Sequence, residues 1–462
     1  MKRTGGGSAE RKVNAVAARV LLDVKPTREE SELLAGRINT VVSRLKLIVP
    51  RDVEVVVTGS SARDTNMRGD SDVDIFMLFK RSVSKAEMES RALSYTKRLV
   101  RGHRGESYET KYAEHPYARL LLSNLNLRVD LVPAYKITDA RERATSVDRT
   151  QLHTLFISSR LSGAQRDEVR VLKAFMRAHN VYGAEARTEG FSGYLAELFI
   201  HHFGSFYNVL STMAEQRMPL VIDPAGHLGP DDAASAPERF GRELVVIDPT
   251  DPGRNVAANV SRKSLARLVL SARAFLKSPS KASFYGAGHS EERAAAALSA
   301  LRKRLGLGIY AIRFVLPDIS EEITWQQLAR FRARCVGELE KRGFAVTLSL
   351  QEIEGREGLI GIILNEIKIG HSVLRGPSSF MGRAADEFAR AHSGAAFIFL
   401  LEDRLYAVEQ STERDPGEVL RALSNSRRAL PTYLKRPTIY HNTIPESRAK
   451  LLYRAYCRET SI

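Results

Sequence analysis

Along the chain the spacing of apolar residues switches between helical and strand periods, and the switches outline the fold. Thr27-Arg28-Glu29-Glu30 reads as a capping box, after which Leu34, Ile38, Val42 and Leu45 share one face of a predicted helix. Residues 53–58 predict a strand. After a Gly-Ser turn, residues 73–79 return as a second strand, residues 84–101 give a basic helical stretch, and the alternation of Leu125, Leu127, Val129 and Leu131 marks another strand. The result is an α+β unit that ends near Ser146, where ERATSVDRTQLH loses strand character.

From about 150 to 283 the pattern is mainly helical, with long stretches at 166–179 and 192–203 and a turn-rich segment, VVIDPTDPGRNVAANVS. Ser192 reads as a helix N-cap. Beyond Ile309 the order becomes strand 310–315, helix 325–341, strands 345–350 and 359–367, helix 382–392 and strand 396–401. That sequence predicts a ferredoxin-like βαββαβ portion. The basic residues 427–462 are expected to pack back on an earlier domain, and residues 1–12 to form a disordered basic tail. The domain boundaries expected are therefore 1–148, 149–283 and 284–462, in keeping with about 150 residues per domain.

Composition narrows the function. The 462 residues include 70 Lys and Arg against 54 Asp and Glu, a net charge of +16, which favours a polyanionic partner such as nucleic acid but also fits plain solubility. Two cysteines, Cys335 and Cys457, exclude a disulfide framework and a Cys-based zinc site, and they suit a reducing cytoplasm. Asn14, Arg19 and Asp23 interrupt the only N-terminal apolar run, so no signal peptide is expected. No apolar run is long enough to span a bilayer, so no membrane partner is expected.

The chemistry concentrates in TGSSARDTNMRGDSDVDIFMLF. Side chains alternate along a strand, so Asp72 and Asp74 project to one side while Val73, Ile75 and Met77 face a core. Asp130 lies opposite Leu127, Val129 and Leu131, and completes an acidic cluster if the two strands are neighbours. Like charges at close range repel, and hard divalent cations relieve this, so Mg2+ in a two-metal site for nucleotidyl transfer is expected. An isolated Asp-x-Asp is more often a solvated loop or an ion pair. Here the context favours chemistry: Gly59 permits close backbone approach, Ser60 can donate to phosphate, the following helix start favours an anion, and Arg63 offers a planar donor pair. Asp64 and Asp70 fit turns instead.

GSSARDTNMRGDSDVDIF resembles the signature of the DNA polymerase β nucleotidyltransferase superfamily. Together with SVDRTQLH, LKAFMRAHNVYGAE, GFSGYLAEL, DPTDPGRNVAANVS and GPSSFMGRAADEFARAH, it is similar to the archaeal, class I CCA-adding enzymes. The resemblance implies a polymerase β-like palm as catalytic domain, a helical central nucleotide-binding domain and a C-terminal tRNA-binding domain. It implies Asp72, Asp74 and Asp130 as metal ligands and Ser60 and Arg63 as phosphate contacts. It further implies that His153, Lys173 and Tyr182 line the triphosphate site, with Thr150 nearby, and that Arg254 reads the base of CTP or ATP. Without it, His153 is as apt to be a core histidine, Lys173 a solvated helix residue and Tyr182 a packed aromatic. Asp72 stands where some relatives have Glu, and Asp64 and Asn66 where close relatives often have Gly and a bulky residue.

The implied reaction is template-independent addition of C, C and A to the 3′ end of tRNA with release of pyrophosphate. Arg427, Arg428, Lys435 and Arg436, interleaved with Tyr433, Tyr440 and His441, suit phosphate neutralisation and base stacking, though an ordinary basic surface fits equally. The resemblance would have them grip the acceptor end and upper half of tRNA. A poly(A) or poly(U) polymerase, or a catalytically silent RNA-binding protein, remain as other readings, and the oligomeric state stays open, a homodimer included.

Overall fold

A computed structural model of the protein describes residues 6–112, 116–215, 217–285, 294–365 and 369–460. They form two compact units, Met1–Ala287 and Gly288–Ser461. The first opens with helices α1 (Gly6–Val24) and α2 (Arg28–Lys46). Residues 6–12, expected as a disordered tail, are the first turns of α1; residues 1–5 lie outside the described set. Val13, Ala17 and Val20 return at helical spacing and bury against the helical core, and this burial orders the segment despite its charge. The capping box at Thr27 is present.

The first sheet and its helices comprise β1 (Glu54–Thr58), the short helix α3 (Gly59–Ala62), β2 (Asp72–Phe79), helix α4 (Lys85–Val100), β3 (Glu106–Tyr112), β4 (Pro116–Leu122) and β5 (Leu127–Tyr135). Its strand order is β1-β2-β5-β4-β3, and β2 and β5 pair in parallel. Two of these strands, β3 and β4, form a hairpin that the sequence reading did not identify. Val73, Ile75 and Met77 face a core shared with Val129 and Leu131 and covered by Ile38, Val41 and Leu45 of α2 and Met88, Ala92 and Leu99 of α4. Burial of each such side chain contributes about 1.5–3 kcal/mol, enough for this layer to hold the sheet. On the opposite face, Phe76, Leu78, Val132 and Ala134 form a second apolar cluster. The acidic character of that face is thus confined to the leading end of β2 and the middle of β5.

The rest of the first unit comprises α5 (Thr150–Arg160), α6 (Gly163–Ala178), α7 (Gly193–Phe203), α8 (Phe206–Glu215), β6 (Leu220–Ile222), α9 (Pro230–Phe240), β7 (Leu244–Asp248), β8 (Asp251–Asn255) and α10 (Arg262–Lys277). Ser192 caps α7, as its sequence position predicts. The turn-rich segment folds into the β7–β8 hairpin.

The second unit contains α11 (Ala294–Leu305), β9 (Leu307–Val315), α12 (Glu321–Lys341), β10 (Val346–Glu354), β11 (Glu357–Asn365), β12 (Ile369–Ser378), α13 (Arg383–Ala391), β13 (Phe397–Leu401), β14 (Arg404–Arg414), α14 (Pro416–Asn425), β15 (Lys435–His441) and α15 (Glu446–Thr460). One sheet runs β10-β11-β9-β15, all antiparallel, which is the βαββαβ arrangement. Its fourth strand is β15, not the predicted 396–401; that strand, β13, joins β12 and β14 in a separate sheet. The insertion of β12–β14 between the third and fourth strands hides the pattern in the sequence. Among the described residues beyond 427, β15 pairs with β9, and Leu451, Leu452 and Ala455 of α15 close the core of this same unit. Ile367, the predicted end of β11, lies outside the described residues.

Candidate active site

The parallel pairing of β2 and β5 sets Asp74 directly beside Asp130, and Asp72 beside Arg128. On the other side of β2, antiparallel β1 places Thr58 opposite Asp74, so the chain turns into α3 next to that carboxylate. Gly59 makes the approach possible. Its φ is +72°, and a Cβ there would lie 2.1 Å from Asp74 Oδ2, a double reason for glycine.

Repulsion is visible in the electrostatics. Burial first, then the neighbouring charges of Asp130 and Asp72, raise the Asp74 carboxyl to about 6 against the opposing pull of Arg63 and Arg119. The outer carboxylates instead meet arginines. Arg119 Nε and Nη2 donate to Asp130 Oδ1 and Oδ2 at 2.7 and 2.8 Å, and Arg128 Nε lies 2.6 Å from Asp72 Oδ1. The Asp72–Arg128 pair is largely exposed, so it is worth little. Among the described residues no three acidic, His or Cys side chains converge closely enough to hold a metal ion. The donor set nevertheless suits a hard divalent cation in kind: three carboxylates lie on adjacent strands, and Asp74 is raised by burial and by the other two. Arg119 and Arg128 stand beside Asp130 and Asp72 as the neighbouring positive charges.

The predicted phosphate contacts divide into exposed and buried groups. Ser60 is partly exposed on α3, and Thr150 is partly exposed at the start of α5. Arg63 does not present a free fork. It is buried, with Nε 2.9 Å from Glu197 Oε2 and Nη1 donating to Thr154 Oγ1 at 3.3 Å. Lys173 is not solvated either: its Nζ donates to the Thr65 carbonyl at 2.9 Å and sits 3.7 Å from Glu197, and burial lowers it to about 8 although Glu197 opposes the shift. Tyr182 lies close to Lys173 around Gly193, and burial pushes its hydroxyl up to about 12.

A second buried hub forms around Asp248 at the end of β7. His153 Nε2 and Arg254 Nη1 both reach Asp248 Oδ2, at 2.9 and 2.7 Å. Burial opposes ionisation of Asp248, but the donors from His153, Thr250 and Arg254 hold its carboxyl well below the usual range. His153 stacks on Tyr194 with ring centroids 4.0 Å apart, and burial lowers its pKa against the pull of Asp248. Glu197, Asp248 and Tyr194 were not singled out from sequence. The available signal was a lone acid in an apolar setting: Glu197 within GYLAELFI and Asp248 closing LVVID.

In the second unit, Tyr433 is exposed, whereas His441 stacks on Tyr310 and Tyr440 meets Arg448. Lys435 and Arg436 lie on β15, the edge strand of their sheet; the Arg436 side chain lies outside the described set. The carbonyls of Arg428 and Ala429 accept from Arg334. Part of the interleaved aromatic set thus serves packing.

Three families match in succession: the nucleotidyltransferase domain over residues 37–153, the second domain of tRNA nucleotidyltransferase over 167–285, and the C-terminal domain of CCA-adding enzymes over 305–435. The CCA-adding enzyme of Thermococcus gammatolerans is 30% identical over 459 residues, spanning 96% of this chain and 98% of that one. The chain belongs to the CCA-adding enzyme family. The Methanoregula boonei CCA-adding enzyme is 36% identical over 70% of this chain and 67% of its own, and that of Haloarcula marismortui 36% over 75% and 71%. The α+β fold and the superfamily expected from sequence hold, and the protein is a nucleotidyltransferase of tRNA CCA addition. Membership implies a divalent metal, with tRNA, CTP and ATP as substrates. No helix among the described residues is long and apolar enough to cross a membrane.

Proposed function

We propose that the chain adds C, C and A stepwise to a tRNA 3′ hydroxyl from CTP and ATP, with Asp72, Asp74 and Asp130 holding Mg2+ ions. The observation that carries this reading is the register of Asp74 beside Asp130 under Gly59. Bound divalent ions would favour the attacking oxygen and the departing pyrophosphate. Ser60 and the partly exposed Thr150 donate to triphosphate oxygens. His153, Lys173 and Tyr182 complete that end, while Arg63 acts through Glu197 to fix the loop that carries Ser60. Arg254, a third exposed at its side chain, meets the base. Domains 1–148 and 149–283 provide catalysis and nucleotide binding, and 284–462 grips the acceptor end and upper half of tRNA through Tyr433, Lys435 and neighbouring arginines.

Incubation with tRNA lacking its terminus and each labelled triphosphate tests the reading. Two C residues from CTP, then one A from ATP and no further growth, are expected. Homopolymer tails would instead indicate a poly(A)- or poly(U)-type polymerase, and absence of incorporation would indicate a silent RNA-binding protein.

A further inference from the structure

The Asp248 hub draws on four parts of the chain and five donor contacts. Oδ2 faces His153 Nε2 on α5 and accepts from Arg254 Nη1 on β8. Oδ1 accepts from the Thr250 backbone N–H at 3.0 Å, the Thr250 hydroxyl at 2.9 Å and the Tyr194 hydroxyl, on α7, at 3.3 Å. The carboxylate is completely buried, whereas Arg254 is 34% exposed at its side chain. One edge of the guanidinium is therefore anchored, and among the described residues its outer edge meets no partner.

Resting on the reading that His153 meets the triphosphate and Arg254 the base, we propose that Asp248 is a positioning residue for nucleotide selection. Its Oδ2 registers the two ends of the incoming nucleotide against each other. Displacement of either donor shifts the other, so a base that misplaces Arg254 also misplaces His153. The neighbouring Asp251 instead pairs with two arginines, Arg149 and Arg143, at 2.9 and 3.4 Å.

The geometry carries a proton consequence. In neutral His153 the Nε2 proton faces Asp248, which leaves Nδ1 as an acceptor that cannot donate to a phosphate oxygen. Binding of the triphosphate therefore adds a proton at Nδ1, and Asp248 stabilises the resulting imidazolium. The charged and titratable groups that face the ring are Asp248 from β7, Tyr194 from α7, Arg254 from β8 and Arg149 before α5. Neutral Tyr194 adds only stacking, and the two arginines oppose the proton that Asp248 favours.

The test compares wild type with Asp248→Asn in single-nucleotide addition, CTP against UTP on tRNA lacking CCA and ATP against GTP on tRNA ending in CC. Asparagine must offer an N–H where the carboxylate accepts, so one of the donors loses its acceptor. In wild type, KM for the correct nucleotide should rise with pH across the histidine range. Asp248→Asn should raise KM at neutral pH and lower selectivity, each by at least about tenfold, because a charged acceptor is lost. It should also flatten the pH profile, with tRNA affinity unchanged. A variant that keeps selectivity, KM and pH profile within about twofold of wild type overturns the proposal. Should Asp248→Asn not fold, Thr250→Val removes one Oδ1 donor and keeps the charge; a loss of selectivity of about two- to fivefold is expected, and unchanged selectivity overturns the proposal. A wild-type protein that incorporates nothing would overturn the functional reading beneath it, a result distinct from an active wild type beside an indifferent Asp248→Asn.

Discussion

The molecule handles carboxylates in two opposite ways. On the β2–β5 sheet, Asp72 is largely exposed and its partner Arg128 more than half exposed, so the pair is screened and easily opened. On α7, Glu197 is fully buried among Arg63, Lys173 and Thr65, where no water can replace a lost partner. Of the three strand acids only Asp72 is loosely paired, since Asp130 meets Arg119 through two hydrogen bonds. Loss of a partner should cost more at the buried Glu197 than at the exposed Asp72.

The largest expected effect on stability lies in the buried region. Glu197→Ala leaves Arg63 and Lys173 without their counter-charge and should lower unfolding free energy by about 3–5 kcal/mol, measured by urea denaturation. A loss within the range of an ordinary surface substitution would erase the distinction between the two regions. Gly59→Ala joins a strained φ to a collision with Asp74. It should cost about 1–2 kcal/mol and depress incorporation strongly, and a variant with wild-type turnover would show that the close approach is dispensable.

Much of this was legible in the chain. Asp72 and Asp74 announce themselves because acids at alternating positions of an apolar strand share one face and repel unless a cation sits between them. Asp130 is a single acid on its own strand and joins them only through the resemblance and the expectation that the two strands are neighbours, whereas β1, β2 and β5 follow from the alternation of apolar residues. The Glu197 and Asp248 hubs were not legible, since a single acid in an apolar run gives no sign of which distant arginine, lysine or histidine will meet it. Arg63 reads as a phosphate ligand for the same reason: its local context is a phosphate-type turn, while its partner lies 134 positions away. In the second unit, the 396–401 strand fits the βαββαβ pattern locally, and only pairing shows that β15 takes that place.

A finer distinction comes from pH. The folded-state pKa of Asp74, about 6, lies above its ordinary 3.8. Its contribution to stability is therefore complete below pH 3.8 and is lost as pH rises through 6. In chelator, wild type should lose stability relative to Asp74→Asn across that window, followed by thermal unfolding, and Mg2+ should restore part of it to wild type alone. Parallel curves for the two proteins would show that neither burial nor the neighbouring carboxylates raise Asp74. The smallest effect should come from Arg128→Ala, which removes the exposed partner of Asp72 and should change stability by less than about 1 kcal/mol. A larger loss in urea denaturation would mean that the exposed pair holds the sheet after all.

The central claim, that the three aspartates form one metal-holding site, is tested most directly by single-turnover C addition to tRNA lacking its terminus with Asp74→Ala at saturating Mg2+. The expected result is a rate lower by on the order of 10³-fold or more with tRNA affinity retained. Incorporation within about tenfold of wild type would contradict it.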